Sequence, residues 1–127
     1  MRSEGAVILV VHDVEETRDG IEKLLRVDGY RVQCAREEDD AVARAHPPLP
    51  ELILVNLDGP AKTVIARGQR IRQRVGLTDT VPVVIFCVDA VQDGEEIAMG
   101  ENVHVTQPDN FDQLSQLVHR LLQSTHA

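Results

Sequence analysis

The sequence predicts an α/β protein built on a parallel sheet with helices on both faces. Three observations carry the prediction. The runs AVILVV, LILVNL and VVIFCV show no polar alternation, as strands buried on both faces do. Between them, apolar residues recur at three- and four-residue spacing, the period of amphipathic helices. The two kinds of segment alternate along the whole chain, an order that gives βαβ crossovers and not hairpins.

The elements follow in order. Residues 6–11 form the first strand. Val14, Ile21, Leu24 and Leu25 mark the first helix, with Asp13 as its N-cap and Gly29 just past its end. Residues 30–34 (YRVQC) form a second strand, and residues 37–45 a short helix whose acidic start suits its dipole. Pro47, Pro48 and Pro50 then stiffen the chain. Residues 52–57 form the third strand, closed by Gly59-Pro60. Val64, Ile65, Gly68, Ile71 and Val75 give one stripe of the third helix, whose Lys and Arg residues read as a solvated face. Pro82 precedes a fourth strand over 83–88. Residues 90–99 read as a fourth helix, interrupted by Gly94. Residues 103–106 are the fifth strand, and Asp109 or Asn110 caps a last helix carrying Phe111, Leu114, Leu117, Val118, Leu121 and Leu122.

At 127 residues the chain suits one domain, 1–127, large enough to fold around its own core. No apolar run approaches the length of a membrane span, and the N-terminus is too short in apolar residues for a secretory signal. A cytoplasmic location is expected. The net charge of −8 makes bare nucleic acid or an anionic membrane a poor partner. Three aromatic residues, Tyr30, Phe86 and Phe111, give no platform for stacking bases. Cys34 and Cys87 sit in apolar runs and read as buried thiols in a reducing compartment.

In sheets of this kind, ligand chemistry gathers beyond the carboxyl ends of the strands. The residues there are His12-Asp13, Asn56 to Asp58, Cys87 to Asp89 and Thr106-Gln107. These ends, with ILVVHD, LLRVDGYRVQCA, PELILVNLDGP, VPVVIF and VTQP in this order, make the chain resemble the receiver domain of two-component response regulators, the family of the chemotaxis response regulator. The resemblance spans residues 6–123. It implies a flavodoxin-like, doubly wound (βα)5 three-layer sandwich with a parallel five-stranded sheet of order 2-1-3-4-5.

It also implies where the family's chemistry would lie. Receivers accept a phosphoryl group from a phosphohistidine onto an aspartate, with Mg²⁺, a hydroxyl and an ammonium around it. Such transfer is mostly positioning and charge stabilisation. In this sequence the nucleophile position holds Asn56, and an amide cannot form an acyl phosphate as a carboxylate does. The acidic pair has become His12-Asp13. Cys87 stands at the hydroxyl position, Gln107 at the ammonium position and His104 at that of the switch aromatic. Asp13 remains as a weak metal ligand at most, with Asp58 nearby, so Mg²⁺ binding is expected to be weak or absent and no other cofactor is expected.

The expectation is therefore a pseudo-receiver that is not an enzyme: a phosphorylation-independent protein–protein interaction module of a phosphorelay. Its partner would be a histidine kinase, effector or output domain. The docking face would be that of the fourth helix, fifth strand and fifth helix, near Glu95 to Met99, His104 and the outer side of residues 110–124, with a homodimer as one form. Two rivals remain. One is a working receiver that uses Asp58 or Asp13. The other is a metal or redox sensor at His12, Asp13 and Cys87, with His104 as a fourth member, since imidazole, carboxylate and thiol suit Zn²⁺ better than Mg²⁺.

Overall fold

A computed structural model of the protein describes residues 5–86, 92, 94–108 and 110–126. Cys87, Asp89 and Asp109 lie outside the described residues. The elements are β1 (Val7–His12), α1 (Glu15–Val27), β2 (Arg31–Ala35), α2 (Glu38–Arg44), β3 (Leu52–Asn56), α3 (Ala61–Val75), β4 (Val83–Phe86), β5 (Glu96–Ala98), β6 (Val103–Thr106) and α4 (Phe111–His126).

The strand order is β2-β1-β3-β4-β6-β5. Its five parallel strands keep the expected 2-1-3-4-5 order, with β6 as the fifth. Alternation along each strand divides the core into two layers. Ile8, Val10, Leu52, Leu54, Val84 and Phe86 pack with α1 and α4 residues such as Leu25, Leu114 and Val118. Leu9, Val11, Ile53, Val55, Val83 and Ile85 pack on the other face with Ala41 of α2 and Val64 and Ile71 of α3. Every residue of β1 is buried, which is why its sequence shows no polar alternation. The result is the expected three-layer sandwich of flavodoxin-like type.

The helices end where the sequence supplies the needed conformation. Gly29 takes φ +96 after α1, where its N–H meets Arg26 C=O and the Tyr30 N–H meets Leu25 C=O. Gly68 has a packing reason. A Cβ there would stand 2.8 Å from Ile85 Cδ1 and 2.9 Å from Val83 Cγ1, so its absence lets α3 lie close on the sheet. Asn110 caps α4 as expected, accepting the Gln113 N–H at 3.0 Å.

Two expectations need correction. Asp13 does not cap α1. The N-cap is Val14, without a side-chain cap bond, and the Val14 N–H goes to the His12 imidazole. The described part of the expected fourth helix is not helical either. Residues 96–98 form β5, antiparallel to β6, with Ile97 opposite Val105. The reason lies in the connection: Gly100, Glu101 and Asn102 all have positive φ (+89, +52 and +60). Met99 N–H reaches Val103 C=O across it, so the chain turns back as a hairpin. The expected docking face is consequently built from β5, β6 and α4.

Candidate functional site at the carboxyl edge of the sheet

The parallel strands β1, β3, β4 and β6 end on His12, Asn56, Phe86 and Thr106. Register sets His12 beside Asn56 and Phe86 beside Thr106. Strand alternation places all four on the α1/α4 side, because Val10, Leu54 and Phe86 lie there while Val105 faces the other way. One row of residues therefore crosses the carboxyl edge of the sheet.

His12 and Thr106 are the buried polar members of this row. His12 lies at the end of β1. Its Nδ1 accepts the Val14 N–H at 3.0 Å, and its ring centre lies 6.1 Å from that of Phe86. An imidazole that accepts at Nδ1 is neutral and carries its proton on Nε2. Burial holds its pKa below the ordinary histidine value, against the pull of the Asp13 carboxylate and with help from the Arg18 guanidinium. Arg18 donates to the His12 C=O at 2.9 Å. In the sequence Arg18 leaves only a faint signal: a cation one turn into α1, on the side that faces the end of β1.

Asp13 is largely exposed, with Oδ1 3.6 Å from His12 Nδ1. Asn56 is half-buried at the end of β3, Leu57 is buried in the α2/α3 layer, and Asp58 is exposed beyond the strand. Gln107 follows β6. Its backbone bonds both Gly94 and Glu95, while its Oε1 is buried and has no hydrogen-bond partner among the described residues. Such an oxygen costs roughly 1–3 kcal/mol if left unpaired. Thr106 places a buried hydroxyl in the row and donates it to Glu95 C=O at 2.9 Å.

His104 does not join His12. Strands β3 and β4 separate β1 from β6, so the two histidines stand about 14 Å apart across the sheet. His104 instead meets Asn102 Oδ1 at 2.9 Å, and it faces Glu96 and Arg120. Burial also lowers its pKa. It is therefore not a fourth member of a His12 metal site, as the zinc reading had it.

Mg²⁺ is a hard ion held by carboxylate, carbonyl and water oxygens in octahedral array. Asp13 offers one carboxylate beside a buried neutral imidazole and the Asn56 amide. Among the described residues, no group of three His, Cys, Asp or Glu side chains could hold a metal ion.

Geometry of this kind, with an open edge beyond the parallel strands of a 2-1-3-4-5 sheet, is that of the response-regulator receiver fold. No protein-family model matches the chain. Solved structures do. A CheY-like receiver domain protein from Methanospirillum hungatei superposes with TM-score 0.71 at 14% identity, covering 97% of this chain and 98% of that one. The response regulator TrrA from Thermotoga maritima, in complex with Mg²⁺ and BeF, gives 0.64 at 18%, covering 91% and 98%. NtrX from Brucella abortus, in complex with ADP, gives 0.70 at 20%. That match covers 96% of this chain but 27% of NtrX. At these identities the likeness is one of fold.

Among the described residues, no helix is long and apolar enough to cross a membrane.

Proposed function

We propose that this chain is a cytoplasmic pseudo-receiver, an interaction module of two-component signalling that works without aspartyl phosphorylation. The observation that carries the reading is the pair His12 and Asn56. They stand side by side at the ends of β1 and β3, where a receiver needs carboxylates to attack phosphorus and to hold a hard metal. A neutral imidazole and an amide supply neither. Gln107, beyond β6, replaces an ammonium with a group that cannot neutralise phosphoryl charge.

The reading keeps Asp58 and Asp13 out of the phosphoacceptor role. Asp58 stands two residues past the end of β3 and is exposed, beyond the row that Asn56 joins. Asp13 projects beside His12 from the turn after β1. A metal or redox sensor draws no support from the described residues, since His12 already spends Nδ1 on Val14. The neighbouring solved structures include the receiver domain of a hybrid histidine kinase, CckA. For this chain a kinase, effector or output domain is the proposed kind of partner, docking on β5, β6 and α4.

Amide-resolved NMR with Mg²⁺ and beryllofluoride, a phosphoryl mimic, tests the reading. The account expects the resonances of Asn56, Asp58 and Gln107 to stay in place. Saturable shifts centred on those residues would restore the phosphorelay reading.

A further inference from the structure

The two edges of the sheet are built differently. At β2, the Arg26 guanidinium donates to the Val32 C=O at 3.2 Å, and Arg31 is exposed. Gln33 donates its amide to the Pro48 C=O at 3.1 Å, which draws the proline segment against the strand. Charges and covering segments of this kind are how proteins keep sheet edges from pairing. At β5 all three residues are exposed. Ile97 and Met99 beside it are 38% and 54% exposed. No Lys or Pro interrupts residues 94–99. The one charged residue within β5, Glu96, is matched by Arg120 of α4 at 2.6 Å.

The ladder decides which backbone groups are open. Met99 N–H bonds Val103 C=O, and Glu95 C=O accepts the Gln107 N–H. The odd-numbered residues therefore turn toward β6. In an antiparallel pair the alternate residues turn their N–H and C=O the other way, so Glu96 and Ala98 present theirs outward. We infer that β5 is the docking edge for a second copy of this chain, which adds its own β5 antiparallel about a two-fold axis at Ile97.

The edge is self-complementary under that axis. Glu96 and the partner's Ala98 become a hydrogen-bonded pair, and the reciprocal pair forms across the axis, giving about four backbone bonds. Ile97 meets its own counterpart in the non-hydrogen-bonded position, where side chains approach most closely. No like charges oppose each other, because Glu96 faces Ala98 and its carboxylate stays with Arg120. The strand is short, so the dimer is a weak, concentration-dependent one. This inference names a partner for the interaction module but stands on the edge alone, whatever the carboxyl-edge residues do.

Sedimentation velocity of the full chain, without phosphodonor, from low micromolar to millimolar concentration tests it. The weight-average mass should rise toward that of two chains. Ile97→Lys, which places like charges on the axis, should move dimerisation to about tenfold higher concentration or beyond. Ala98→Pro should do the same, since it removes an outward N–H and leaves the bonds to β6 in place. Hydrogen exchange on the unaltered chain needs no variant, and the Glu96 and Ala98 amides should slow as concentration rises. A mass that stays monomeric throughout overturns the inference. So does a dimer that Ile97→Lys leaves intact, or one that leaves those two amides unprotected.

Discussion

His12 has a neutral, buried imidazole that closes the end of β1, and its neighbour across the ladder is Asn56. Burial is the largest influence on its pKa, which lies below the ordinary histidine value. Asn56→Asp would put a carboxylate beside that ring, and an adjacent negative charge favours the imidazolium. The pKa of His12, followed by NMR titration, should therefore rise in the variant. An unmoved pKa would mean the two side chains do not face one crevice. The residue types at this edge were legible in the sequence because strand ends could be located by their apolar runs. Their relations were not. That His12 would take the Val14 N–H depends on a side-chain rotamer that spacing does not reveal.

At the scale of elements, α3 shows how packing constrains sequence. Its stripe of Val64, Gly68 and Ile71 lies on β3 and β4, with Gly68 at the closest approach. Gly68→Ala would gain helix propensity but force the Val83 and Ile85 side chains aside. Overpacking of this kind costs about 1–3 kcal/mol, so chemical denaturation should show a net loss of stability. A gain would mean the helix can lift off the sheet at no cost. The buried strands and the long amphipathic helices were readable because burial on one or both faces leaves a period in the sequence. β5 left none. It has three exposed residues, and the turn that directs it uses Glu101, a residue type rarely placed at positive φ. A helix was the wrong expectation there because Gly94 and Gly100 act as chain reversals, not as interruptions of a helix.

Across the whole molecule, α2 and α3 are joined by charge as well as by core. The Glu38 carboxylate meets Arg70 at 2.6 Å and Arg74 at 2.7 Å. Their hydrogen bonds, Arg70 first, hold its pKa at about 2, against an ordinary 4.5. A depressed acid stabilises fully above its ordinary value, and this contribution is lost as pH falls from 4.5 toward 2. His12 and His104 act at higher pH. Both are held below 6.5 by burial, so on acidification the unfolded chain takes up protons that the folded chain refuses. Stability is full above 6.5 and falls as pH drops below it. Melting temperature against pH should thus decline in two stages, one beginning near 6.5 and one near 4.5. A melting temperature that holds steady as pH passes down through 6.5 would contradict the burial of these histidines.

The layered fold was legible because alternation of apolar strands and helices leaves few topologies open, while its strand order was implied only by the resemblance to receiver domains. The proposed role of the carboxyl edge rests on Asn56, His12 and Gln107, at positions where the resemblance to receivers implies carboxylates and an ammonium. The central claim rests on them. Intact mass after incubation with acetyl phosphate and Mg²⁺ tests it most directly. The account predicts an unmodified chain. A gain of about 80 Da, one phosphoryl group transferred to the protein, would contradict it and direct the search for an acceptor first to Asp58.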